Sequence, residues 1–232
     1  MIFLHLGAGA GDQDSRAKYR CGFTEFIKKN YKKNDLVYLV EANTKNIPKL
    51  KKCWQKYKNI KIINKAIFPK ITKKKKISFF YCEEDAPHYQ VFSLKRDHVK
   101  KHYPKSKTIK KVLVKIISLD LFLNKFFRNK TIDHLSIDLE GIDYEIIQNI
   151  NFKKYSIINI SIEYLHLNRN QKINLIKLMN TNNYSYIGYG YDHNDFDLLF
   201  TKKNLFYNQI LSKLIPYIKG KKIKYLNKLL IK

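Results

Sequence analysis

Ile2-Phe3-Leu4-His5-Leu6-Gly7-Ala8-Gly9-Ala10-Gly11-Asp12 is an apolar run that breaks into a glycine at every second position. The run reads as a buried strand. The glycines behind it let the backbone approach a bulky charged ligand, because glycine has no Cβ and tolerates positive φ. Nucleotide-like cofactors use such loops. Glycines at 7, 9 and 11 fit an S-adenosylmethionine loop better than the dinucleotide pattern G-x-G-x-x-G, whose third glycine would fall on Asp12. A plain turn also accounts for the loop taken alone, so residues further along the chain must decide between the two.

Downstream, short apolar runs alternate with longer helical patterns, which predicts βα units and a mostly parallel sheet. Strands are expected at Ile2 to Leu6, Leu36 to Val40, Ile60 to Ile63, His134 to Leu139, Ile157 to Glu163, Tyr184 to Tyr189 and Phe196 to Thr201. Phe23, Phe26, Ile27 and Tyr31 recur at helical spacing after the first strand. Ile47, Leu50, Cys53, Trp54 and Tyr57 do so after the second, with Asn46 as the expected cap and Pro48 in the first turn. Further helices are marked by Leu119, Phe122, Leu123 and Phe126, and by Ile173, Ile176, Leu178 and Met179. The basic segment Pro69 to Lys111 breaks the rhythm and predicts an insertion with its own hairpin or helical structure near the site mouth. Its aromatics, Tyr81, His88, Tyr89 and Phe92, suit either stacking on a sugar ring or a small core. Residues 204–232 form a basic amphipathic tail that can pack on the domain or lie on an anionic membrane.

A formal charge of +27 invites a polyanion partner, but it is built from lysine, with only Arg16, Arg20, Arg96, Arg128 and Arg169 as arginines. Readers of nucleic acid favour the bidentate arginine fork, so the charge argues for a solvated basic surface. Cys21, Cys53 and Cys82 are scattered, without C-x-x-C or Cys/His zinc spacing, which supports neither a disulfide framework nor a structural metal. No signal peptide or membrane-spanning run is read, and a reducing cytoplasm is the expected compartment, with contact at the inner face of the membrane open to the tail.

A ribose needs an acceptor for its vicinal hydroxyls, and Glu41 ends the second strand where nucleotide folds place that acid. Asn64, after the third strand, could pair with an adenine edge or simply open a turn. In Ser136-Ile137-Asp138-Leu139-Glu140-Gly141-Ile142-Asp143-Tyr144-Glu145, alternation on a strand would project Asp138 and Glu140 to one side at its carboxyl end. Ligands of open α/β sheets lie there, and two carboxylates are costly unless paired or used. Asp143 and Glu145 are explained by a helix start.

This run, preceded by Ser118-Leu119-Asp120, resembles the signature of the FkbM family of S-adenosylmethionine-dependent methyltransferases. Leu6-Gly7-Ala8-Gly9-Ala10-Gly11, Val40-Glu41-Ala42-Asn43, Asn64-Lys65-Ala66-Ile67, Glu163-Tyr164 and Asn194-Asp195-Phe196-Asp197 come in that family's order. The resemblance spans roughly Phe3 to Lys203. It implies a class I methyltransferase, Rossmann-like fold: a seven-stranded mostly parallel sheet with helices on both faces. It implies S-adenosylmethionine held by Leu6, Gly7, Ala8, Gly9, Gly11, Glu41, Ala42, Asn43, Asn64, Ala66 and Asp138. Catalytic candidates are Asp138 and Glu140, then Glu163 and His166. The expected reaction is O-methylation of a sugar, a glycan precursor or another small hydroxylated metabolite. No redox cofactor is implied, and no metal is demanded, although a divalent ion on Asp138 and a neighbour is compatible. Two departures stand out: His5 occupies a position where the family commonly has an acid, and the first strand starts at residue 2 without a preceding helix, which reads as a shortened domain or an alternative start. The competing reading is a basic module for anionic lipid or nucleic acid on a degenerate methyltransferase fold. A nucleic-acid methyltransferase is disfavoured because an Asn-Pro-Pro-aromatic signature is absent.

Overall fold

The computed structural model describes residues 1–12, 21–191 and 196–203. The sheet that carries the site has seven strands: β1 (Ile2–Leu6), β2 (Leu36–Val40), β3 (Ile60–Ile63), β8 (Thr131–Ile137), β9 (Ser156–Glu163), β10 (Tyr184–Tyr189) and β11 (Asp197–Lys202). Their order is β10-β11-β9-β8-β1-β2-β3. The five strands from β9 to β3 are parallel, and β11 runs antiparallel to both β9 and β10.

Side-chain alternation explains the layers on either side. Leu4, Leu6, Tyr38 and Val40 point into one core, which the helices α4 (Leu119–Phe127), α5 (Asp143–Gln148) and α6 (Arg169–Thr181) close with Phe122, Phe127, Ile146, Ile147, Leu175 and Met179. Phe3, Val37 and Leu39 point the other way, onto Phe23, Phe26 and Ile27 of α1 (Gly22–Asn30) and Leu50, Cys53 and Trp54 of α2 (Ile47–Trp54). Strands covered on both faces must be apolar throughout, which is why β1 and β2 read as continuous runs. Each fully buried leucine or phenylalanine of these layers contributes about 1.5–3 kcal/mol.

Local signals set the helix starts. The Cys21 thiol sulfur accepts from Thr24 N at 3.2 Å ahead of α1, and Asn168 with Gln171 forms a reciprocal capping box on α6. Asn46 precedes α2, with Pro48 in the first turn, but its side chain makes no capping bond.

A second, four-stranded sheet has the order β4-β7-β5-β6, made of β4 (Ala66–Phe68), β5 (Lys76–Cys82), β6 (Phe92–Ser93) and β7 (Ile109–Ser118). Segment 69–111 supplies β5, β6, the helix α3 (Arg96–His102) and the start of β7.

The expected strand from His134 to Leu139 is corrected at its end. β8 stops at Ile137, because both carboxylate oxygens of Asp143 accept from the succeeding turn, from Leu139 N at 2.5 Å and Gly141 N at 3.1 Å. Glu140 therefore sits in a turn with φ 52°, and strand alternation with Asp138 is not what positions it. The last strand starts at Asp197 rather than Phe196. Arg16, Arg20, Asn194, Asp195 and the tail from residue 204 lie outside the described residues.

Candidate active site

Register places the site. Leu6 pairs with Val40 and with Ile137, Val40 with Ile63, and Ile137 with Ile162. Gly7, Glu41, Asn64, Asp138 and Glu163 consequently line the carboxyl edge of five parallel strands, whose spacing is about 4.8 Å. Backbone bonds tie the row together: Gly7 N and Ala8 N donate to Val40 O, Asp138 N to Leu6 O and Glu41 N to Ile63 O.

Gly7 has φ 91°, and a Cβ built on it would stand 1.6 Å from the carbonyl oxygen of Asp138, so the strand-to-loop turn admits only glycine. Gly9, at φ 54°, would project a Cβ into open space. The first glycine is thus required by the fold and the second leaves room for a ligand.

Glu41 is buried, and its two oxygens accept from Gly9 N and Asn43 N, each at 2.6 Å. Each carboxylate oxygen keeps a second lone pair for a hydroxyl donor. Burial pushes Glu41 up to about 7 against the lowering effect of the two backbone donors, and the Glu140 charge adds to the rise. Asp143, wholly buried, is raised by burial as well. A carboxyl raised in the folded state stabilises the protein below its unfolded pKa, and that contribution is lost as pH climbs through the folded value. The Glu41 contribution therefore falls between pH 4.5 and 7, against the opposite contribution of His5, His134 and His166, which burial lowers, so the stability of Glu41→Gln relative to wild type should rise with pH across that window. Urea midpoints of the two proteins check it, and a difference between them that does not change with pH would contradict it.

Two cavities meet along this row. The smaller, about 60 Å³, is walled by Gly9, Ala42, Ala66, Phe79 and Phe92, among others. Phe79 and Phe92 stack at 5.0 Å there, across β5 and β6. The larger, about 260 Å³, runs past Ala8 and Gly11 to Asn46, Glu163, His166 and His102. Gly7, Gly9, Asp138 and Glu140 border both. His88, Gln90, Val91 and His102 bring segment 69–111 to the wall of the larger one.

Other expected cofactor contacts are placed differently. The side chain of Leu6 is fully buried in the core, leaving its main chain to support Asp138. The Asn64 amide nitrogen donates to Glu41 O at 2.8 Å and to Ala42 O at 3.3 Å, so it braces the second-strand turn. Asn43 Oδ1 accepts from Lys45 N at 3.1 Å.

His5 is buried against the edge of Phe23 and lines the larger cavity, and burial holds it down at about 3. Burial thus favours its neutral form. His166 lies with its Nε2 3.4 Å from Glu163 Oε1, pulled down to about 4 by burial and then by the neighbouring His98, His102 and Lys101. His102 is lowered as well, chiefly by burial. Glu140 Oε2 is 3.2 Å from His98 Nε2.

Sequence reading passes over several of these residues. Asp143 reads as a helix-start acid and is the clamp of the Asp138–Gly141 turn. Asn46 reads as a cap and lines the larger cavity, where its side-chain oxygen makes no hydrogen bond among the described residues. His98-x-x-x-His102, at helical spacing, is the available signal for the histidines.

The donors and spaces fit S-adenosylmethionine. A Cβ-free backbone at Gly9 leaves open space beside the buried Glu41 carboxylate for its polar parts, and the aromatic-walled cavity suits a flat base. The model for the methyltransferase FkbM domain matches residues 6–202. None of the curated proteins matches the chain. Solved structures similar to it include the fibrillarin pre-rRNA processing protein of Methanococcus jannaschii, at 12% identity and a TM-score of 0.42. That similarity covers 87% of this chain and 66% of the other, so this chain spans a little under two thirds of the length of its counterpart. Among the described residues no helix is long and apolar enough to cross a membrane.

Proposed function

The chain belongs to the FkbM methyltransferase family, and from that premise we propose that it methylates a hydroxyl of a small acceptor, a sugar, a glycan precursor or a similar metabolite, with S-adenosylmethionine as donor. One observation carries this reading: Asp138 stands where the two cavities join, beside Gly7 and Gly9. The smaller cavity takes the adenosine end of the donor and the larger the acceptor, which puts the Asp138 carboxylate beside the path of the methyl group.

When bound, the donor supplies an electrophilic methyl on a sulfonium sulfur. Displacement at that carbon needs alignment and exclusion of water above all, and a base to take the hydroxyl proton as the new C–O bond forms and the C–S bond breaks. Asp138 is the proposed base. The Glu163–His166 pair, at and just beyond the end of β9, orients the acceptor, and Glu140 closes the wall beside it. Glu41 holds the glycine loop and accepts from the ribose hydroxyls through its remaining lone pairs. We place the protein in the cytoplasm, with its basic tail available to the inner face of the membrane.

Calorimetry tests the donor site directly. S-adenosylmethionine and its demethylated product are each expected to bind, and Glu41→Ala to weaken both by about 10- to 100-fold, since it removes a charge-assisted acceptor and the support of Gly9. Absence of heat with either ligand on folded protein would refute the enzyme reading. Binding of anionic vesicles or oligonucleotides with a steep salt slope and no response to the donor would instead favour the basic binding module.

A further inference from the structure

His98 and His102 lie one turn apart on α3, so their rings leave the same face of the helix. They meet His166, three residues beyond the end of β9, and Glu140, in the turn between β8 and α5. Ring centroids are 4.5 Å apart for His98 and His166, 4.8 Å for His98 and His102, and 5.0 Å for His102 and His166. One donor atom from each of the four residues lies within 4.8 Å of the other three.

The surroundings hold this arrangement in place. Ser93 Oγ donates to Glu140 O at 2.7 Å and Lys95 Nζ to Gly141 O at 2.6 Å, which docks the turn carrying Glu140 onto the start of α3. A Cβ at residue 141 would stand 2.9 Å from His98 Nδ1, so the glycine there lets the imidazole come close. Glu163 faces His166 Nε2 at 3.4 Å, the kind of carboxylate contact that orients a metal-binding imidazole.

We propose that His98, His102, His166 and Glu140 form a binding site for a divalent cation of the zinc class. Three imidazole nitrogens and one carboxylate oxygen are the borderline donor set that zinc takes in four-coordinate geometry. Ligand bonds of about 2.0–2.2 Å require the donors to close in by about 1.5 Å, a movement within the reach of side-chain rotation. The ion would join the helix of segment 69–111 to two turns at the carboxyl edge of the main sheet, fixing one wall of the larger cavity. The acidic trio Asp138, Asp143 and Glu163 is a weaker candidate, because both oxygens of Asp143 already accept main-chain hydrogens.

Metal uptake is read without donor or acceptor, so the outcome is independent of the methyl-transfer reading. Full-length protein stripped with a chelator is titrated with Zn²⁺, and with Co²⁺ as an optical probe. One equivalent of zinc should remain after dialysis, cobalt should give the visible absorption of a four-coordinate site, and zinc should displace it. His102 is exposed, so His102→Ala should keep the far-ultraviolet spectrum of the wild type while weakening zinc binding about 100-fold or more. His98→Ala should do the same. Folded wild-type protein that retains no zinc and gives no cobalt spectrum overturns the proposal, as does a folded His102→Ala protein that binds zinc as tightly as the wild type.

Discussion

Gly7→Ala is expected to abolish donor binding and to destabilise the protein by about 3 kcal/mol or more. The added methyl would stand 1.6 Å from a main-chain oxygen, that of Asp138, at a φ of 91°. A flexible side chain could swing aside, but this carbonyl belongs to a residue whose own N–H is bonded to Leu6 O at 3.0 Å. Relief therefore means parting β1 from β8 at the edge where the site is built. Gly9→Ala provides the contrast, since its methyl meets open space and its left-handed backbone costs only about 1–2 kcal/mol. It should fold with a modest loss of Tm yet bind the donor poorly. Thermal melts without ligand, paired with calorimetry, separate the two. A Gly7→Ala protein with the wild-type Tm would show that the close approach to Asp138 does not constrain the turn.

Asp138→Ala is the variant with the largest expected kinetic effect, a fall in kcat of about 10²–10⁴-fold, the usual contribution of a positioned general base. The residue borders both cavities, so its removal should leave the core packing nearly unchanged. Donor affinity should change far less than turnover. Single-turnover transfer to an acceptor found by screening hydroxylated sugars, read as formation of the demethylated donor, provides the measurement. Turnover within about tenfold of wild type would remove Asp138 from the role of base. Asp138→Asn should be nearly as slow, because the amide keeps the shape and loses the proton acceptor.

How far the sequence carried the structure depended on the range of the interactions involved. β1, β2, β3 and β10 coincide with the expected runs because each is a short apolar segment bounded by polar or glycine-containing turns, a local signal. The carboxyl-edge row was legible for the same reason: an acid or glycine that ends an apolar run must stand at the strand's end. The end of β8 was not, because the clamp that stops it comes from Asp143, on the far side of the turn. At Asn64 the amide has the chemistry for a base edge, and only the fold reveals that its nitrogen is engaged by the carbonyls of Glu41 and Ala42. The histidine cluster was hidden more thoroughly. Its helix spans only Arg96–His102, too short to show apolar periodicity, and Glu140 and His166 reach it through tertiary contacts alone.

The Glu41 clamp has a kinetic consequence. With Gly9 N and Asn43 N already held at 2.6 Å by one buried carboxylate, the conformational entropy of ordering this part of the loop is lost once, when the chain folds, and not again at each encounter with a ligand. Association then needs no ordering of Gly9 and Asn43, which meet the ligand in place. Dissociation, governed by contacts made after arrival, is left to set how long the ligand stays.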